Sequence, residues 1–184
     1  MTRMRTHRRS RAQRGATMIE VLVSLVILMV GLLGLVGVMI QSQRSQLESY
    51  QRVQALLLVQ DMATRLKANR SAADCYVLAS FLGTGNTTIP TACGSGSRGE
   101  HDLTQWRDLL LGAAELSNTD QVGGILGARG CITKDASNLF QVSVAWQGLS
   151  ATTAPPAGVT CGQGEYGSSD ALRRAVSVTV QFGI

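Results

Sequence analysis

Residues 15–40 read GATMIEVLVSLVILMVGLLGLVGVMI, with Arg14 immediately before them. From Val21 to Ile40 no residue is charged, and Ser24 carries the one polar side chain. Roughly 20 apolar residues in a helix cross a bilayer core, so the run predicts one transmembrane helix over about 20–40. Arg3, Arg5, Arg8, Arg9, Arg11 and Arg14 precede it. Cytoplasmic flanks are rich in Arg and Lys, so the N-terminus is expected inside and the remainder exported.

Glu20 interrupts this simple pattern at the head of the apolar run. A carboxylate in hydrocarbon costs about 2.5–3.5 kcal/mol or more and normally marks a function with a partner nearby. It can also sit at headgroup level, favoured by the positive end of the helix dipole. Taken alone, Glu20 fits both readings. Its surroundings narrow them: a basic leader, Gly15, small Ala16, Glu20 five places after Gly15, then an apolar helix.

This arrangement resembles the N-terminal signal of type IV prepilins and pseudopilins. The resemblance implies cleavage between Gly15 and Ala16 by a dedicated prepilin peptidase. It also implies N-methylation of the new N-terminal Ala16 and an assembly contact made by Glu20. Thr17, Met18 and Ile19 match the small-polar and aliphatic positions between them, whereas Ala16 stands where the family usually has Phe. The implied fold is α+β and pilin-like. A long N-terminal helix, its first half in the membrane, packs on a small antiparallel sheet of about three to four strands, with a second short helix.

Composition agrees with a targeting role for the basic leader. The chain has 184 residues, 17 basic and 12 acidic. Removing residues 1–15 takes away six arginines and no acid, leaving eleven basic residues against the twelve acidic ones. The basic balance therefore describes the leader and not a nucleic-acid surface. An arginine-rich DNA-binding tail is the competing reading, and the apolar helix directly behind it argues against that. Arg8-Arg9 lacks the apolar residues expected after a twin-arginine signal. An ordinary secretory signal has a shorter apolar region with a small-residue cleavage site beyond it.

Cys75, Cys93, Cys131 and Cys161 all follow the span, on the side where disulfides form. None sits in a C-x-x-C pair, so a metal site is not expected. Four cysteines allow three pairings. The sequential one, Cys75–Cys93 with Cys131–Cys161, closes loops of ordinary size and is the expected one.

Three regions are expected: a cleaved leader 1–15, a long helix 16–70 and an exported α+β domain 71–184. Gln41 to Lys67 holds no Gly or Pro, and Ala55, Leu58, Val59, Met62 and Leu66 recur at helical spacing. That stripe predicts the face on which the exported domain packs. No heptad is sustained, so a coiled coil is disfavoured. The helix is expected to fade over 69–74. Residues 75–99 read as a loop rich in Gly, Ser and Thr. A second helix is expected over 102–116, capped by Asp102 with Gln105 answering, and burying Leu103, Trp106, Leu110 and Ala113. Strands are expected over 128–133, 139–147 and 174–182, with a turn at 135–138. In the second, Phe140, Val142, Val144 and Trp146 face one way and Gln141, Ser143 and Ala145 the other.

Gly31, Gly34 and Gly37 recur within the span. They fit close packing through small residues. They equally resemble the stretch that loosens when pilins enter a filament.

Trp106 in its Leu-rich helix, the Gly-rich approach at Gly123-Gly124, the V-x-V-x-W strand and the Arg173-Arg174 terminal strand are similar to minor pilins of the PilV kind, the type IV pilus modification proteins. That resemblance implies a structural subunit of pilus assembly, initiation or the tip complex. Its partners would be the inner membrane, other minor pilins, the major pilin, prepilin peptidase and a large tip adhesin, without nucleic-acid binding. A minor pseudopilin of a type II secretion or DNA-uptake system is the alternative. A single-span membrane protein with a small exported binding domain is a third. No G-x-S-x-G, P-loop or H-E-x-x-H occurs. No catalytic residue, metal or cofactor is expected, and the chain reads as a substrate of enzymes. Asn69-Arg70-Ser71 and Asn86-Thr87-Thr88 match the glycosylation sequon, a triplet that also occurs by chance.

Overall fold

The computed structural model describes residues 15, 17–113, 116–117, 120–121 and 123–182. The leader 1–14, with its arginines, and Ala16 lie outside the described residues. The chain divides between Gln43 and Arg44 into two units. One helix, α1 (Met18–Ala68), contributes to both.

In the first unit the helix carries apolar residues on every side. From Met18 to Ile40 its large apolar side chains are all exposed, Leu33 at 73% and Val23 at 48%. The helix stays regular through Gly31, Gly34 and Gly37. Of the described helices it alone is long and apolar enough to cross a membrane.

In the second unit the same helix becomes one-sided. Ala55, Val59, Met62, Ala63 and Leu66 are buried, and Leu58 packs at the margin. This is the stripe that spacing predicts, extended by Ala63. Arg65 and Lys67 in the last turn complement the negative end of the dipole. The helix ends at Ala68, and a kinked 3₁₀ segment follows over Arg70–Tyr76.

Four antiparallel strands lie in the order β1 (Leu82–Gly83), β4 (Arg129–Lys134), β5 (Leu139–Gln147) and β6 (Arg173–Gln181). The three longer strands fall within one residue of their expected bounds. The two-residue β1 lies inside the region read as loop. A separate small hairpin joins β2 (Leu116–Ser117) and β3 (Asp120–Gln121). At the β4–β5 turn, Asp135 Oδ1 accepts from the N–H of Ser137 and of Leu139. Asn138 takes the left-handed backbone there, which asparagine tolerates.

The second helix, α2 (Arg98–Leu111), begins four residues before the sequence reading placed it. Its cap is Ser97 and not Asp102. The Ser97 hydroxyl accepts from Glu100 N–H at 3.2 Å, and Glu100 Oε2 accepts from Gly96 N–H at 2.6 Å. Gly112 in the left-handed region closes the helix, so it stops short of 116. Leu103, Trp106 and Leu110 are buried as expected, while Ala113 lies past the helix end and is half-buried.

Asp102 is freed for a different task. It accepts from the Tyr76 hydroxyl at 2.6 Å and from Arg65 Nη1 at 3.2 Å. Arg65 also bonds Asp61 and Gln105, and Asn69 Nδ2 donates to the Tyr76 oxygen. This cluster ties α1, the 3₁₀ segment and α2 together. Burial, then the bond to Asp102, pushes the Tyr76 phenol up to about 12.

Trp106 closes the core. Its indole N–H donates to Leu58 C=O at 3.0 Å, and its ring rests on Gly130. A Cβ at residue 130 would stand 2.4 Å from the ring, so only glycine fits there.

Both faces of β5 are largely covered. One packs into the main core with α1. On the other, Ser143 and Ala145 are buried beneath residues 161–166, where Cys161 and Tyr166 form a second small cluster. Arg129 lies between the rings of Phe81 and Tyr166, at 5.0 and 4.7 Å, and pairs with Glu165 at 3.0 Å.

Candidate functional site: the head of the long helix

Helix α1 starts with a polar turn built by Thr17 and Glu20. Thr17 sits just before the first helical residue, and its C=O accepts from the N–H of Glu20 at 3.0 Å and of Val21 at 3.3 Å. Its hydroxyl lies 3.4 Å from the same Glu20 N–H. The order T-x-x-E before an apolar run is a helix-start signature, and it stood in the sequence unread. One turn on, Ser24 Oγ donates to Glu20 C=O at 2.7 Å. The polar side chain inside the span is thereby satisfied by its own helix.

The Glu20 carboxylate is different. It is exposed, and among the described residues it has no hydrogen-bond or ion-pair partner. The helix N-terminus favours a negative charge at this position. In water such a carboxylate needs nothing more. Here it stands at the head of a run, Val21 to Ile40, whose large apolar side chains are all exposed.

Gly15 is exposed, and a Cβ there would meet nothing within 4 Å. The fold of this chain therefore does not require glycine at residue 15. Gly31, Gly34 and Gly37 likewise have nothing within 4 Å of a built Cβ.

The four cysteines lie far along the chain from this helix head and form two disulfides. Cys75–Cys93 joins the 3₁₀ segment after α1 to the loop before α2, beneath Gly99. Cys131–Cys161 fastens β4 to the loop that covers the outer face of β5. The Asn69 amide bonds the Tyr76 hydroxyl. The Asn86 amide bonds Phe81 C=O and accepts from Thr88 N–H. The side chains of both sequons are thus engaged within the fold.

Residues 10–36 match the prokaryotic N-terminal methylation motif. Residues 39–106 match the Tt1218-like family, described as type IV pilin Tt1218. No curated protein and no solved structure gives a significant match. The two matches meet on α1, one over its head and apolar half, the other over its amphipathic half and most of α2. Together they support a type IV pilin, a structural class of subunit carrying an N-methylation signal.

Proposed function

We propose that this chain is a minor pilin, closest in kind to the PilV group, that helps initiate or cap a type IV pilus. In this reading prepilin peptidase cuts between Gly15 and Ala16, and Ala16 is N-methylated. Residues 20–40 hold the subunit in the inner membrane with its N-terminus cytoplasmic and residues 71–184 periplasmic. The subunit then enters a bundle with other minor pilins and the major pilin, which presents it at the cell surface, with a tip adhesin as a further partner.

The observation that carries this reading is the exposed Glu20 at the head of a helix whose large apolar side chains from Val21 to Ile40 are all exposed. Cleavage would leave an amine at Ala16, four residues from Glu20. The two charges can pair within one chain or between neighbours. The intermolecular pair is the functional one: Glu20 of one subunit meeting the N-terminal amine of the next. It neutralises both charges in hydrocarbon and sets the axial register of the bundle. The apolar surface of residues 21–40 then exchanges lipid for neighbouring helices.

The test is a count of sheared surface pili in a Glu20→Ala strain beside a deletion. The variant should be cleaved and membrane-inserted normally, yet show at least tenfold fewer pili than the parent, with major pilin abundant in the membrane. Parental piliation in Glu20→Ala beside a bald deletion would remove Glu20 as the assembly contact. Parental piliation in the deletion itself would instead point to a minor pseudopilin of secretion or DNA uptake.

A further inference from the structure

The two edges of the four-stranded sheet are finished in opposite ways. The outer side of β4 is occupied: Leu82 and Gly83 of β1 pair with Gly130 and Arg129. Farther along, Leu78 N–H donates to Ile132 C=O at 2.9 Å. The outer side of β6 carries no such cover among the described residues.

Which β6 groups face outward follows from the ladder. Gly148 N–H donates to Leu172 C=O at 2.7 Å, directly beyond the Gln147–Arg173 pair. In an antiparallel ladder, bonded and non-bonded pairs alternate. Arg174, Val176, Val178 and Val180 therefore bond inward to β5. Ala175, Ser177, Thr179 and Gln181 turn their N–H and C=O groups outward. The outward N–H of Arg173 is already taken by Asp170 C=O at 2.9 Å. The open row is 175–181.

That row has none of the usual protections of a free edge. It contains no Pro, Gly or charged residue, and the register with β5 runs through nine pairs without a bulge. Native proteins normally blunt such edges, because each is a template for another strand. The chemistry that recognises a row of alternating N–H and C=O groups is an extended polypeptide backbone. At the start of the row, a hollow between α1 and β6 is lined by Arg52 and Arg174 with Glu48 as the one acid. Arg174 pairs with Glu48 at 3.5 Å. This end favours an acidic residue on whatever docks.

A second copy of the chain fits the edge poorly. Parallel pairing of two β6 strands in equal register sets Arg174 against Arg174, and like charges opposite each other destabilise a pair. Antiparallel pairing meets a different obstacle. Glu48 touches Arg174, and Arg70 lies over the Phe182 ring at 5.9 Å, so α1 and β6 run in the same direction. Antiparallel β6 strands would point residues 44–68 of the two α1 helices opposite ways, which two subunits entering one bundle in the same direction cannot do. That last point rests on the bundle reading above.

We propose that residues 175–181 of β6 accept an extended segment of a different protein, which adds a strand to the sheet and places an acidic residue beside Arg52 and Arg174. Amide hydrogen exchange on the full ¹⁵N-labelled chain in detergent micelles tests this without reference to pili, so it can fail independently of the pilin reading. The probe is a blocked ten-residue peptide of alternating Thr and Val with two Glu at one end. In the dilute free chain, the outward amides of Ala175, Ser177, Thr179 and Gln181 should exchange rapidly and those of Val176, Val178 and Val180 slowly. The peptide should slow the outward four at least tenfold and leave the inward three unchanged. Thr179→Pro removes only an outward N–H, which an edge strand tolerates, and should abolish the peptide's protection in a folded protein. Thr179→Lys is the milder second variant and should weaken it. Outward amides already protected in the dilute chain would overturn the proposal, as would no response to the peptide. Protection that rises with protein concentration alone would assign the edge to a second copy instead. Equal protection by a peptide with Lys in place of Glu would overturn the acidic requirement.

Discussion

Helix α1 handles its apolar residues in two opposite ways. Between Val21 and Ile40 every large apolar side chain is exposed. From Ala55 to Leu66 the apolar residues form one stripe, and Val59, Met62 and Leu66 are fully buried under the sheet and α2. The first stretch leaves its apolar side chains exposed; the second completes a core within one chain. Contiguous exposed apolar surface on this scale marks contact with something else. The two halves of one helix thus separate exposed apolar surface from folded core, and substitutions should separate in the same way.

The largest effect is expected at Trp106, whose ring fills the space between Leu58 and Gly130. Trp106→Ala should lower the unfolding free energy of the domain built on β4–β6 by about 3–5 kcal/mol. Leu28→Ala, in the exposed half, should leave it within about 0.5 kcal/mol. Denaturant melts in detergent measure both, and equal losses would erase the distinction between the halves.

Next comes the Cys131–Cys161 bond, which closes a separation of 30 residues. Replacing both cysteines by Ser should cost about 3–4 kcal/mol through loop closure. The covering segment at 161–166 should then become open to proteolysis, while membrane extraction of the protein is unchanged. A protease map that matched the parent would show that the bond does not hold this cover.

The smallest effect concerns Tyr76. Its phenol is held up at about 12 by burial and by Asp102, against a usual 10. A pKa raised by folding contributes stability that is complete below about 10 and is lost as pH climbs towards about 12. Tyr76→Phe should therefore lose less stability than the parent between pH 10 and pH 12. Parallel pH slopes for the two proteins would remove Tyr76 from the clasp.

Much of this fold was legible because periodicity carries it. The 3.6-residue stripe from Ala55 to Leu66 and the two-residue alternation in β5 and β6 each follow from packing one face into the main core. The start of α2 was misread for a local reason. Gly94, Gly96 and Gly99 made residues 75–99 look like loop, and Asp102 with Gln105 offered a plausible cap. The true cap, Ser97 with Glu100, carries the same S-x-x-E signature with a glycine inside the first turn. Gly99 is needed there because the Cys75–Cys93 sulfurs lie within 2.8 Å of where its Cβ would be. That contact is long-range and leaves no mark in local sequence. Burial of Ser143 and Ala145 was hidden for the same reason, since the cover at 161–166 comes from a distant loop. At the helix head the reverse holds. Gly15 and Glu20 stand out in the sequence through their spacing, whereas among the described residues a Cβ at Gly15 would meet nothing within 4 Å and the Glu20 carboxylate has no partner.

That contrast points to the most direct measurement, the intact mass of the membrane-extracted protein beside its Gly15→Val variant. The head of α1 is here read as a substrate for processing, with Gly15 serving the peptidase and not the fold. The parent should lack residues 1–15 and carry one added methyl at Ala16, and Gly15→Val should keep its whole leader while Cys75–Cys93 and Cys131–Cys161 still form. A parent that retains residues 1–15, or a Gly15→Val protein with the processed mass, would contradict the account.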